Sequence, residues 1–404
     1  MKKYRDSIIW FFVSAIVLFT LSFVYLSSPP HSDERHFIET IKLFTEGNLI
    51  STIKDYPEIT PPLFYILFSV WTKISGFSIE SLRILNVLIS LLCWQLIFYF
   101  FKTVTKNFRA SFLLTALIVF NPYFIGVSIF VYNDNLMLLF IMLGVLSFIK
   151  IRSAVTDLFF ALGILVRQYL IIFPLSVFIY SLLQSILSKK LRVNFLIATA
   201  LSVIPIFFLF IYWQGFAPES GLKIWYVKNR SLYNLDYINT YLTFSTVYIL
   251  PLIIYYFHKR KLSKLHLIYS LILSVILSLF PVQPSLATVS QTKVTTVGYV
   301  HKFLAAIFGM DSILLNVLLF ILLLAGCYIT MILVTDLIKK FQDKSLDYQI
   351  IFSLLWISFL IIMPFSFQVW EKYLIMILPF YAAAIYTQIV TNVKNEKVNS
   401  SLQS

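Results

Sequence analysis

Charge is scarce in this chain of 404 residues, and acid is scarcer than base: charged residues make up 12% of it, with 18 Asp and Glu against 32 Lys and Arg. Hydrophobic residues reach 59% and the mean hydropathy is +0.87. So little polar surface cannot cover a protein of this length, which excludes a soluble globular domain and leaves a polytopic membrane protein. The two cysteines, Cys93 and Cys327, each lie inside an apolar run far from the other, which excludes a disulfide framework. Five histidines with no His or Cys pair at ligand spacing give no metal site. No internal repeat relates the two halves of the chain, whereas many transporters have one.

What is present is hydrocarbon in blocks. Lys2-Lys3-Tyr4-Arg5 precedes an apolar run that could open a signal peptide, but the run is long enough to span and lacks a small-residue cleavage site. It reads as a retained first helix. Apolar segments at 8–27, 80–101, 110–131, 134–150, 154–166, 169–187, 193–213, 240–257, 265–281, 312–335, 348–367 and 372–392 give about twelve expected spans, with both termini on one side. The basic clusters Lys102/Lys106/Arg109, Lys150/Arg152, Lys189/Lys190/Arg192, Lys259/Arg260/Lys261/Lys264, Lys339/Lys340/Lys344 and Lys394/Lys397 then fall on the N-terminal side, as positive-inside orientation requires. On this topology the inner side carries the whole net charge of +14 and the outer side balances. The basic loops are orientation signals that touch anionic membrane lipids, and no nucleic-acid partner is implied.

The first outer loop, 28–79, concentrates charge and proline in His31-Ser32-Asp33-Glu34-Arg35-His36 and in Tyr56-Pro57-Glu58-Ile59-Thr60-Pro61-Pro62-Leu63. Phe37, Ile38, Ile41 and Phe44 have helical spacing, with Glu39, Lys42 and Glu46 on the other face and Gly47 as a stop. The apolar stretch 61–76 cannot cross without moving Lys102 to Arg109 outside. The loop therefore reads as two interfacial helices joined by a proline-rich turn.

Other polar groups also fall on the outer side. The segment 157–184 must go up and return within few residues, so Arg167-Gln168 at its turn would sit below the membrane surface, costly unless it faces water or an anion. Tyr132-Asn133-Asp134-Asn135 forms a similar turn, and Lys223, Lys228, Arg230, Asp236, His301-Lys302 and Glu371-Lys372-Tyr373 lie on the same side. Carboxylates and cations together suit sugar transfer from a polyprenyl phosphate to a hydroxyl. Asp33 or Glu34 would take the proton; Arg167, His301, Lys302 or Lys372 would stabilise the departing phosphate. Plainer roles exist for each: Asp33 and Glu34 as solvated loop acids, Asp134 as a helix cap, Arg167 as a snorkelling interfacial residue. Asn229-Arg230-Ser231 is a glycosylation sequon, a triplet common by chance.

Asp33-Glu34 followed by His36 resembles the acidic first-loop motif of the GT-C superfamily of polyprenyl-phosphate-dependent glycosyltransferases. Asp33-Glu34-Arg35-His36, Ile59-Thr60-Pro61-Pro62-Leu63-Phe64-Tyr65, Tyr132-Asn133-Asp134 and Val166-Arg167-Gln168 are most similar to motifs of the dolichyl-phosphate-glucose alpha-1,2-glucosyltransferase family. Glu371-Lys372-Tyr373-Leu374-Ile375 before Leu378-Pro379-Phe380 looks similar to the end of its catalytic module. That family's late histidine- and asparagine-containing motif is missing, and branches that mannosylate proteins or add aminoarabinose to lipid A share the acidic loop and proline turn.

The resemblance implies an all-α, GT-C-like membrane bundle forming one transferase domain. Its catalytic-type module would be 1–213, its variable C-terminal helices 214–392 and its cytoplasmic tail 393–404. The implied reaction is an inverting hexosyl transfer with Asp33 as general base, no cofactor, and metal independence or weak divalent-cation dependence. His36, Tyr65, Asp134, Gln168 and Glu371 become substrate-binding candidates. The donor would be a polyprenyl-phosphate sugar and the acceptor a lipid-linked glycan or a protein. The site would face the extracytoplasmic or luminal side of a prokaryotic plasma membrane or the endoplasmic reticulum. Two rivals are a flippase for lipid-linked saccharides and a polysaccharide polymerase; against the second, the outer loop 281–311 contains no arginine.

Overall fold

A computed structural model describes residues 2–189, 192–225, 232–260 and 262–402, with side chains described between 5 and 390 of these apart from 287, 291 and 292. The sequon Asn229-Arg230-Ser231 and the cation Lys228 lie outside the described residues. Helices and the turns between them make up the described chain, with no strand among the described residues. It divides into two compact units, Met1–Leu182 with Leu191–Tyr226, and Leu183–Lys190 with Val227–Ser404.

The first unit is built from α1 (Lys2–Tyr25), α2 (Glu34–Glu46), α3 (Leu49–Lys54), α4 (Leu63–Ser75), α5 (Ile79–Thr105), α6 (Phe108–Val119), α7 (Pro122–Ile129), α8 (Asn133–Ile149), α9 (Ser153–Ile164), most of α10 (Ile172–Ser188), α11 (Val193–Leu201), α12 (Ile204–Trp213) and α13 (Glu219–Trp225). Its centre is α5, which packs against α1, α6 and α8. Trp10 stacks on Phe98 at 5.5 Å and donates its indole N–H to Trp94 O at 3.0 Å. Inside hydrocarbon a polar group has no water to turn to, so α5 partners its own across helices. Asn86 Nδ2 donates to Val127 O and Phe130 O, and Asn135 Nδ2 to Ser90 Oγ and Val127 O. These contacts fix the broken crossing made by α6 and α7, bent by 73°. Pro122 opens α7, where its missing N–H costs nothing, and the Asn121 side chain accepts from Tyr123 N at 2.9 Å. Phe12, Ile16, Phe19 and Phe23 on α1 remain exposed, as a lipid-facing stripe would.

The first loop, 28–79, folds into amphipathic helices, as its pattern requires. α2 buries Phe37, Ile41 and Phe44 against α4, where Phe37 meets Phe64 and Phe44 stacks on Tyr65. A third short helix, α3, is added after Gly47, capped by the Asn48 side chain.

The second unit holds α14 (Leu235–Tyr248), α15 (Leu250–Lys259), α16 (Lys264–Ser278), α17 (Leu286–Thr292), α18 (Tyr299–Phe308), α19 (Ile313–Gln342), α20 (Ile350–Ile362) and α21 (Leu378–Leu402). α19 packs on α14 and α16. Gly326 makes the first contact close: a Cβ there would stand 2.4 Å from Leu242 O. Trp356 on α20 stacks on Tyr381 of α21 at 4.0 Å.

All twelve expected spans fall on a helix or a bent helix pair. Length and composition qualify five as crossings, or seven if the bent pairs α6–α7 and α14–α15 count as one each. The other five segments hold apolar helical stretches of 10–17 residues, shorter than the ~20 residues a perpendicular crossing takes.

Candidate active site

Asp33 and Glu34 are adjacent in sequence and opposite in environment. Glu34 is wholly buried and Asp33 is exposed. Arg83, one turn inside α5 and 1% exposed, forks onto Glu34, with Nε to Oε1 at 2.9 Å and Nη2 to Oε2 at 2.6 Å. Val131 N also donates to Oε1 and His31 N to Oε2, each at 2.9 Å. The rest of the guanidinium binds carbonyls of Tyr25, Leu26, Ser28 and Pro29 at the end of α1. Four donors on one carboxylate make Glu34 a structural anchor that fixes the α1–α2 turn to α5. Asp33, at the N-terminal boundary of α2, is thereby held at the surface.

A second polar cluster lies under the turn between α9 and α10. Arg167 is 5% exposed and in extended conformation. Its Nε and Nη2 donate to Asn133 Oδ1 at 2.9 and 2.5 Å, its Nη2 pairs with Asp134 at 3.1 Å, and its guanidinium lies 5.6 Å from the Tyr169 ring. Asp134 sits in the first turn of α8, where the helix dipole also favours a carboxylate. The proline turn closes over this cluster: Gln168 Nε2 donates to Ile59 O at 2.9 Å and Leu63 N to Leu165 O at 3.2 Å. Tyr56 donates its hydroxyl to Thr60 O, and Tyr65 shares a hydrogen bond with Thr60 Oγ1. Burial pushes both phenols up, and the Glu58 carboxylate adds to this. Arg167 acts on Tyr65 in the opposite sense, so Glu58 and Arg167 bear on one hydroxyl.

Residues 131–134 join the two clusters. Val131 N binds Glu34, Tyr132 Oη binds His31 O at 3.0 Å, and Asn133 and Asp134 hold Arg167. Three residue steps, about 10 Å of chain, therefore connect the acidic turn to the arginine. His36, one turn along α2 from Asp33, is exposed and meets Trp225 edge-on at 5.9 Å.

The remaining sequence candidates, His301, Lys302, Glu371 and Lys372, belong to the second unit. Glu371 is buried and accepts from Tyr248 Oη at 2.5 Å, Val300 N at 3.0 Å and His301 N at 2.7 Å, which ties it to the first turn of α18. Burial pushes its carboxyl up. His301 accepts from Val297 N through Nδ1 and is pushed down to about 4 by burial, so it is neutral at pH 7 and offers a hydrogen bond rather than a charge. Lys302 is exposed and Lys372 half-buried. No group of three or more His, Cys, Asp or Glu among the described residues could hold a metal ion.

Residues 59–213 match the family model of dolichyl-phosphate-mannose-protein mannosyltransferase. The match includes Tyr65, Asp134, Arg167 and Gln168 and leaves out Asp33, Glu34, His301, Lys302, Glu371 and Lys372. Its description names mannose where the motifs resembled a glucosyltransferase. The fold is also similar to that of ArnT from Cupriavidus metallidurans in the apo state, at 14% identity and a TM-score of 0.42, covering 95% of this chain and 77% of that one. No curated protein matches.

Sequence reasoning missed Arg83 and gave Glu58 no role. Part of the signal for Arg83 was available: an arginine inside an apolar span needs a partner, although Asp55, Glu58 and Glu80 all lie closer to it in sequence than Glu34 does. Glu58 stood between prolines with nothing in the sequence to show its burial against Tyr56 and Tyr65.

Proposed function

We propose that this chain is a membrane glycosyltransferase that moves a hexose from a polyprenyl-phosphate donor to an acceptor hydroxyl on the extracytoplasmic side. The observation that carries the reading is the bridge at 131–134, which holds an exposed carboxylate turn and a buried arginine cluster at opposite ends of one short segment. The family match over 59–213 supports the same class. Asp33 accepts the proton of the acceptor hydroxyl, whose oxygen attacks the anomeric carbon from the face opposite the phosphate. The bond from that carbon to the phosphate oxygen breaks, the phosphate leaves with the electron pair, and the configuration inverts. Arg167, held by Asn133 and Asp134, stabilises the charge that develops on the phosphate. Tyr65 and Gln168 shape the donor side of the site. Glu34 positions Asp33 and has no proton-transfer role, since both its oxygens are engaged.

The test is sugar transfer by the purified protein from a panel of polyprenyl-phosphate hexoses and pentoses, comparing wild type with Asp33→Asn. Removal of a general base lowers turnover by about 10²–10⁴-fold. Transfer that survives Asp33→Asn unchanged rejects the base assignment. Tight donor binding without transfer from any donor rejects the enzyme in favour of a carrier of lipid-linked saccharides.

A further inference from the structure

Between the buried face of α2 and its charged ridge runs a third strip. His36, Leu43 and Gly47 recur at intervals of seven and four residues, so they stand in one row along the helix. All three are exposed. Thr40 falls in the same row, is wholly buried, and its hydroxyl has no hydrogen-bond partner. The charged ridge beside the row is neutralised pairwise, Arg35 with Glu39 at 3.0 Å and Lys42 with Glu46 at 3.8 Å.

The two ends of the row differ in chemistry. At the Asp33 end, the His36 ring meets the Trp225 indole, and Trp225 is pinned by a hydrogen bond from Nε1 to Pro57 O at 3.2 Å. α13, which carries Trp225, is anchored through Asp55, which accepts from Ser220 N at 2.8 Å and Ser220 Oγ at 2.6 Å. At the other end the row opens into a cavity of about 370 Å³ lined by Leu43, Glu46, Gly47, Ser51, Thr52 and Asp55. Leu43 belongs to both row and cavity, and ten residues of helix separate it from Asp33, about 15 Å.

We propose that this strip is the acceptor subsite and that it takes a neutral oligosaccharide. Sugar rings present apolar C–H faces that an aromatic plate receives, and hydroxyls that donate to carboxylates and exchange hydrogen bonds with Ser and Thr. Both kinds of partner are present, in line, with Asp33 at the reacting end. The cavity lining carries neither lysine nor arginine to hold a phosphate, and its two carboxylates, Glu46 paired with Lys42 and Asp55 bonded to Ser220, offer a phosphorylated acceptor no cation. The inference rests on the transferase reading only for the role of Asp33; the saccharide site itself stands on the row, the aromatic pair and the cavity.

Direct titration of the purified full-length protein in detergent tests it, using a free neutral hexose tetrasaccharide, a Ser/Thr-rich peptide of similar length and a sugar phosphate, all without donor. The tetrasaccharide is expected to bind wild type. Trp225→Ala should weaken it about tenfold and Trp225→Phe by less than about threefold, at the level of one aromatic contact. Ser51→Tyr, an exposed change at the cavity end, should weaken it independently of any effect on α13. No saccharide binding, binding of the peptide alone, or saccharide binding indifferent to both Trp225→Ala and Ser51→Tyr overturns the proposal. Saccharide binding without transfer from any donor would reject the transferase reading alone, and transfer without saccharide binding would reject this inference alone.

Discussion

The contact between Glu34 and Arg83 supplies the sharpest test of how the site is held. Both side chains are at most 1% exposed, so solvent gives neither any relief if the other is removed. Arg83→Ala leaves a buried carboxylate with only the N–H groups of Val131 and His31, and strips a donor from four carbonyls at the end of α1. Breaking a buried pair from one side costs about 3–5 kcal/mol, and the carbonyls place this case at the upper end. Glu34→Ala leaves a buried guanidinium and should cost about the same. The double variant removes both charges together, so its loss should fall short of the sum by about 2 kcal/mol or more. Reversible denaturation in mixed micelles gives all four corners of this cycle. Losses that add within about 0.5 kcal/mol would show that the two residues act independently and would refute the anchor.

Arg167→Lys keeps the charge and loses the fork onto Asn133 and Asp134; kcat/KM for the donor should fall roughly 10–100-fold, the worth of one charge-assisted hydrogen bond, and steady-state kinetics with varied donor checks it. His301 is held at about 4, below its unfolded value near 6.5, so its contribution to stability is complete above pH ~6.5 and is lost as pH falls toward 4. The raised Glu371 carboxyl runs the opposite way, gaining stability as acid protonates it, so His301→Phe should leave the thermal midpoint flat or rising from pH 6.5 down to 4 where wild type falls less favourably. Melting curves across that range decide; identical slopes in the two proteins would remove His301 from the balance. Gly326→Ala puts a methyl 2.4 Å from Leu242 O, a contact of backbone that no rotamer relieves, and should destabilise by about 1–3 kcal/mol in thermal melts.

Much of the architecture was legible because hydrocarbon leaves few choices. Every apolar run became a helix, and the amphipathic spacing of Phe37, Ile41 and Phe44 placed α2 on α4. Breaks within runs were not legible: the bend at Pro122 depends on Asn121 capping α7, and the one at Pro251 follows the end of α14 at Tyr248, both local hydrogen-bonding matters inside uniformly apolar sequence. At the site, the sequence singled out Asp33, Glu34, Asp134 and Arg167 but could not divide the labour between neighbours. Burial made that division, sending Glu34 to Arg83 and leaving Asp33 at the surface. The sequence gives no sign of the partners Glu371 and His301 have at the start of α18: Glu371 accepts from Tyr248, Val300 and His301, and His301 accepts from Val297.

The partners of Glu34 also set an order of events during synthesis. Glu34 leaves the ribosome 49 residues before Arg83 and 97 before Val131. At about 5–20 residues per second, the carboxylate waits roughly 2–10 s for its guanidinium. Throughout that interval it must stay in contact with water, which keeps the α1–α2 turn outside the bilayer while the next helix is being made. Once α5 is made, Arg83 reaches the waiting turn and the ion pair closes, latching the start of α5 to the end of α1.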